Sequence, residues 1–263
     1  MLLKELRGER YVKSQHNKDL AAKLNARPRG SVEFKHQNIS AILLEMEIPY
    51  IDGYKPRMNY QGILRDVVVE FVDQHRDELQ QIVAAAPSPE PPALNGVSWE
   101  SILVDPPEFV PSTGTQAVRA NKTPRKWNFS EQEARNRKLG RLGEEFVLEY
   151  ERKRLEQAGK KDLARRIEWV AEKDDSAGFD ILSFDDERTE RFVEVKTTNY
   201  GRSFPFMISQ NEVGFSRMET ERYALYRLFT FRTEPRLFIL NGDIAKHCNL
   251  EPKTFRASFG KVA

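Results

Sequence analysis

Gly178-Phe179-Asp180-Ile181 and, after a polar interval, Phe192-Val193-Glu194-Val195-Lys196 are the stretches whose reading decides the fold of this chain. Both alternate apolar and polar residues, the pattern of half-buried β-strands. Between them Asp185-Asp186-Glu187-Arg188 suits a hairpin turn. Residues two apart in a strand share a face. Glu194 and Lys196 therefore project together, with Val193 and Val195 on the opposite side. Asp180 is the only charge in its segment. An Asp, a Glu and a Lys at one end of a hairpin form a candidate metal site. Two carboxylates hold a hard cation such as Mg²⁺, with Mn²⁺ as a substitute. A lysine beside them positions a water and offsets developing negative charge.

Outward from this hairpin the elements are also legible. Ser130-Glu131-Gln132-Glu133 fits a capping box, and Leu139, Leu142 and Phe146 mark the buried stripe of the helix that follows. Gly140 and Gly143 permit close packing of that helix, and Glu144 lies on it. Strands are expected at 166–171, 178–184 and 191–198. Ser209-Gln210-Asn211-Glu212 is a second capping box, opening a helix that runs to about residue 221; Ser209 and Glu212 read as capping residues and nothing more. Strands at 223–231 and 236–240 complete the set, with aromatic residues that pack the core. Helix, three strands, helix and two strands predict an α/β sandwich with a central mixed sheet.

Asp180 followed by Glu194-Val195-Lys196 resembles the D…ExK signature of the PD-(D/E)XK nuclease superfamily. A longer ordered run is similar to the C-terminal domain of the plant NO VEIN protein and its prokaryotic relatives. It comprises Leu139-Gly140-Arg141-Leu142-Gly143-Glu144-Glu145-Phe146-Val147, Ile167-Glu168-Trp169-Val170, Gly178-Phe179-Asp180-Ile181, Glu194-Val195-Lys196-Thr197-Thr198, Ile208-Ser209-Gln210-Asn211-Glu212-Val213 and Tyr223-Ala224-Leu225-Tyr226-Arg227. The resemblance covers roughly the C-terminal half. It implies a restriction-endonuclease-like sandwich and a Mg²⁺-dependent endonuclease that hydrolyses phosphodiester bonds in DNA, of restriction or antiviral defence type. It implies Asp180 and Glu194 as metal ligands and Lys196 as the residue that orients the attacking water. Glu144, or its neighbour Glu145, would complete the ligand set, and Gln210 would contact the metal-bound water or a phosphate. Cutting both strands at once needs a pair of sites, hence a homodimer, and a defence-type role implies partner proteins. The alternative is a non-catalytic nucleic-acid-binding or interaction module of the same fold.

The 263 residues suffice for one large domain or two ordinary ones. A hydrophobic fraction of 39% beside 31% charged residues suits a globular protein. The single Cys248 excludes an internal disulfide and a cysteine-based zinc site. No apolar run approaches the roughly 18 residues of a membrane span. Met1-Leu2-Leu3-Lys4-Glu5 does not read as a signal peptide, and a cytoplasmic protein is expected. With a net charge of +2, any nucleic-acid contact must come from local patches.

Residues 1–85 read as a mainly helical module, 86–129 as a linker and 130–263 as the nuclease-like domain. In the module a short helix at 18–24 is broken by Arg27-Pro28-Arg29-Gly30. Ser31 N-caps a second helix whose inner face is Phe34, Ile39, Ile42 and Leu43. Pro49 ends that run. A long helix over 61–83 follows, with Ile63, Val67, Val68, Phe71 and Val72 on its apolar side. Two helices joined by a tight turn resemble helix-turn-helix DNA readers. Twelve Lys/Arg against seven Asp/Glu in residues 1–65 give a local excess of five positive charges. Gln37 and Asn38 would read adenine edges, and Arg27, Arg29, Lys35, Lys55 and Arg57 would lie at the nucleic-acid surface, the arginines and Lys55 on phosphates. The stretch 32–60 also resembles an N-terminal module that accompanies other prokaryotic defence-type nucleases. The linker is proline-rich, yet Trp99, Ile102, Leu103 and Phe109 suggest that part of it docks on a domain. Residues 115–142 then carry eight Lys/Arg against two Glu, a basic run that would steer a polyanion towards the site.

Overall fold

The computed structural model describes residues 1–7, 9–24, 28–51, 53–84, 99–109, 137–174, 176–185 and 188–252. The capping box at 130–133, the proline-rich stretch 86–98 and most of the basic run lie outside these residues.

Five strands form one mixed sheet: β1 (Glu168–Trp169), β2 (Ile181–Phe184), β3 (Glu190–Thr197), β4 (Tyr223–Phe229) and β5 (Arg236–Asn241). They lie in sequence order, with β3 and β4 parallel and the other pairs antiparallel. The mixed α/β architecture read from the sequence is therefore present. The first strand is shorter than expected, and β2 begins only at Ile181. Gly178 lies ahead of it with a φ of 87°, which a residue with a side chain rarely adopts. A Cβ there would also stand 2.9 Å from Phe215. Asp180 thus sits at the mouth of the strand, although its N–H still donates to Val193 O (2.9 Å).

Each face of the sheet is covered by a helix because each strand alternates its side chains. In chain order the helices are α1 (Leu2–Arg7), α2 (Lys13–Lys23), α3 (Arg29–Glu45), α4 (Gly62–Gln74), α5 (Arg76–Ala84), α6 (Trp99–Ile102), α7 (Arg137–Gln157), α8 (Lys161–Ala164) and α9 (Gln210–Met218). Leu139, Phe146, Val147 and Tyr150 of α7 pack with Val193, Val195, Tyr226 and Leu228 on one face. Phe215 of α9 packs with Phe192, Tyr223, Leu225 and Phe238 on the other. Gly143 is required by the first of these contacts: a Cβ on it would lie 1.8 Å from Thr197 Oγ1. Gly140 is not, since its nearest neighbour is 3.8 Å away.

Part of the expected linker belongs to this sheet. Leu103 bridges Leu237 in parallel, Arg236 Nη1 donates to Ser101 O (2.7 Å), and Trp99 packs against Phe146 and Tyr150.

The N-terminal module departs more from its sequence reading. A first helix, α1, was not foreseen, and α2 starts at Lys13 rather than at residue 18. Ser31 is not the cap of α3: the N-cap is Pro28, and Ser31 lies inside the first turn with its N–H on Pro28 O. Proline's fixed φ starts a helix without needing a side-chain acceptor. The helix ends at Glu45, ahead of Pro49, with Glu47 at a φ of 56°. The expected helix 61–83 is two helices, divided at His75. The ring of His75 stacks on Phe71, and Asp77 and Glu78 favour a new helix start through the dipole. On α4 only Val68 and Val72 are buried, whereas Ile63, Val67 and Phe71 are exposed.

Tyr200 and Phe204, from the loop between β3 and α9, pack into the N-terminal core with Ile42, Leu43 and Val72. The two halves therefore share a core, and removing residues 1–85 would uncover Phe204, which is 2% exposed.

Candidate active site

The end of β3, the entrance to β2 and the first turns of α7 and α9 surround a cavity of about 900 Å³. Asp180, Glu194, Lys196 and Glu144 all line it. Alternation along β3 sends Glu194 and Lys196 to the α9 face, as expected, while Val193 and Val195 pack under α7. Lys196 Nζ lies 2.7 Å from Glu194 Oε1. The Val195 N–H donates to Asp180 Oδ2 (2.7 Å), which locks the carboxylate just ahead of β2 onto the backbone of β3.

The rotation of α7 separates Glu144 from Glu145. Glu144 lines the cavity and its Oε2 accepts from Trp169 Nε1 (2.6 Å). Glu145 is exposed and pairs with Arg141. Gln210 is exposed at the first residue of α9 and does not line the cavity, whereas Asn211 and Glu212 do. A helix turns about 100° per residue, so neighbours in the first turn face different ways.

Glu212 is more than the cap that its spacing from Ser209 predicts. Its Oε2 accepts the Ser209 N–H (2.7 Å) and also lies 3.2 Å from Lys196 Nζ. The capping geometry aims a carboxylate at the lysine of the facing strand. Arg227 on β4, 1% exposed and beside Lys196 in the parallel register, also lines the cavity. Only the tertiary pairing reveals that neighbour. Tyr223, on the same strand, has a buried hydroxyl without a hydrogen-bond partner among the described residues.

The electrostatics of the group are unbalanced. Burial first, then the charge of Glu144, pushes the Asp180 carboxyl up to about 7, against the opposing pull of Lys196 and the Val195 N–H. Burial also raises Glu194 well above the carboxylate range. Burial alone would lower Lys196, but the charges of Glu194 and Glu212 outweigh it and hold the ammonium above the usual lysine value. One ammonium thus serves several carboxylates. Among the described residues no group of three His, Cys, Asp or Glu side chains is placed to hold a metal ion. Mg²⁺, however, is commonly held by one or two carboxylates together with waters and substrate phosphates. Asp180 and Glu194 are the two carboxylates that would hold such a cation, with waters and phosphate oxygens completing its shell.

Of the residues expected to touch nucleic acid in the N-terminal module, Asn38 is buried, and its amide donates to Arg57 O (2.9 Å) and Asn59 O (3.3 Å). It ties down the 57–59 loop rather than reaching a base edge. Gln37 and Lys35 are half-buried, Lys55 is exposed, and Arg57 is exposed with its guanidinium over Phe34. Arg27 and the side chain of Arg29 lie outside the described residues.

Residues 143–240 match the family model for the C-terminal domain of protein NO VEIN. That span of the chain is similar to this domain family. The matched span contains β1 to β4, β5 except its last residue Asn241, most of α7 and all of α9, together with Glu144, Asp180, Glu194, Lys196, Glu212 and Arg227. No curated protein and no solved structure matched the chain. Among the described residues no helix is long and apolar enough to cross a membrane.

Proposed function

We propose that this chain is a metal-dependent endonuclease that hydrolyses phosphodiester bonds in DNA, with its NO VEIN C-terminal-like domain a variant of the restriction-endonuclease-like PD-(D/E)XK fold. The observation that carries the reading is the convergence of Asp180, Glu194 and Lys196 on one cavity, with Lys196 clamped between Glu194 and Glu212. A divalent cation bound at Asp180 and Glu194 supplies Lewis-acid stabilisation of charge on phosphate oxygens. Lys196, held between its two carboxylates, would donate hydrogen bonds and orient a water in line with the 3′ oxygen. Glu144 orders Trp169 and the rim of the cavity. Arg137 and Arg141 line the same rim, where they attract a polyanion. The N-terminal module, the proposed DNA-contacting unit, offers Lys55 and Arg57 at its surface. Restriction or defence is the setting such an activity suits, with a homodimer supplying two sites.

The 2.7 Å contact of Lys196 with Glu194 favours a second reading, a binding module in which the lysine has replaced the ion. One experiment separates the two. Wild type, Lys196→Ala and the control Lys246→Ala are incubated with modified and unmodified plasmids in Mg²⁺, Mn²⁺ or EDTA. Wild type and Lys246→Ala should cut only with metal, and Lys196→Ala should lose at least about 100-fold in rate while still binding DNA. DNA binding without cleavage in any metal would establish the binding module instead.

A further inference from the structure

Nothing in the proposed chemistry uses Arg227, first among the large fully buried side chains of the described residues. It lies in register with Lys196 across the parallel β3–β4 pair, so both side chains leave the sheet on the same face. Its neighbours along that face, Leu225 and Phe229, are apolar and buried. Taking a guanidinium out of water is costly, and packing alone would be served by another apolar side chain. The group is also oriented. Nη2 donates to Phe204 O (3.0 Å), and the guanidinium carbon stands 5.1 Å from the centre of the Phe206 ring. Phe204 is in turn fixed by the N-terminal core. A planar fork held in this way meets a tetrahedral oxyanion with little further loss of freedom. Lys196 is engaged by two carboxylates, which leaves room for a second cation to take up the charge of a substrate phosphate.

We propose that Arg227 binds the non-bridging oxygens of a phosphate seated in the Asp180–Glu194–Lys196 cavity, with Phe204 and Phe206 as its positioning residues. That the phosphate belongs to a nucleic-acid substrate rests on the nuclease reading; binding of the anion does not.

The test titrates inorganic phosphate into the full chain in Mg²⁺ and follows cleavage of a short duplex, for wild type, Arg227→Lys, Arg227→Gln and the exposed control Arg217→Gln. Wild type and Arg217→Gln should bind phosphate alike. Arg227→Lys, which keeps the charge but loses the fork, should weaken phosphate binding and kcat/KM by roughly tenfold. Arg227→Gln should abolish both. Should Arg227→Gln fail to fold, Arg227→Lys decides. Wild-type phosphate affinity in Arg227→Lys, or no phosphate binding by wild type, overturns the proposal and reduces Arg227 to a tie between β4 and the Phe204 carbonyl. Phosphate binding that depends on Arg227 in a protein that cuts no nucleic acid would overturn the nuclease reading and leave the anion site standing.

Discussion

Two carboxylate clusters sit two turns apart along α7 against the same sheet, and they are built on opposite principles. Glu151, on α7 and fully buried, accepts from Tyr226 Oη (2.7 Å) and Ser183 Oγ (2.6 Å), and Arg154 Nε and Nη2 meet its two oxygens at 3.1 and 2.8 Å. Arg154 also donates to the Phe184 carbonyl. Every oxygen there has donors and the charge is cancelled, so the cluster fastens α7 to β2 and β4. Two turns earlier on the same helix, Glu144 faces Asp180, Glu194 and Glu212, which share the ammonium of Lys196. Balanced charge marks a structural joint. Unbalanced charge inside a cavity is the arrangement that the proposed cation would complete.

The largest way to break the contrast is at the balanced end. Glu151→Ala should cost about 3–5 kcal/mol, because Arg154 and Tyr226 lose a buried partner. Denaturant unfolding measures it, and a loss below 1 kcal/mol would mean that the joint is not what holds α7.

The unbalanced end should behave in the reverse sense. The Asp180 carboxyl, held at about 7 when folded against 3.8 ordinarily, keeps its proton after the unfolded chain has lost it. Stability of the metal-free protein should therefore fall as pH rises across that window, since the folded state binds more protons than the unfolded one. Asp180→Asn should flatten the fall and raise Tm in EDTA at pH 8. Mg²⁺ should raise Tm of wild type more than that of Asp180→Asn/Glu194→Gln. Thermal unfolding over pH 4–8 tests both, and equal slopes for wild type and Asp180→Asn would remove Asp180 as the seat of the imbalance.

A smaller effect sharpens the link between the clusters. Gly143→Ala drives a methyl into Thr197 and should cost about 1–3 kcal/mol. Gly140→Ala, on the same helix, where a Cβ would make only an ordinary 3.8 Å contact with the Glu144 side chain, should gain about 0.5–1 kcal/mol. If the two glycines respond alike, the close approach of α7 to β3 is not a constraint. The smallest effect concerns Tyr223, whose hydroxyl is buried without a partner among the described residues. Tyr223→Phe should change stability by less than about 1 kcal/mol, with any change towards greater stability. A marked loss would show that this hydroxyl serves the carboxylates.

By itself the sequence determined whatever depends on neighbours a few positions apart. Alternation in Phe192-Val193-Glu194-Val195-Lys196 placed Glu194 and Lys196 on one face, and the Ser209–Glu212 spacing placed the cap of α9. Gly143 next to the helical stripe announced a close approach. Strand and helix periods are local, so these features survive any arrangement of the elements. The tertiary structure alone decided what depends on how elements are rotated and paired. It turned Glu144 rather than Glu145 into the cavity, and it set Arg227 beside Lys196. It gave the capping Glu212 a second partner, buried Asn38 against its own loop, and lodged Phe204 in the N-terminal core. Each of these is a contact between residues remote in sequence or a choice of helix face. Such contacts are set by the packing of whole faces rather than by any short pattern.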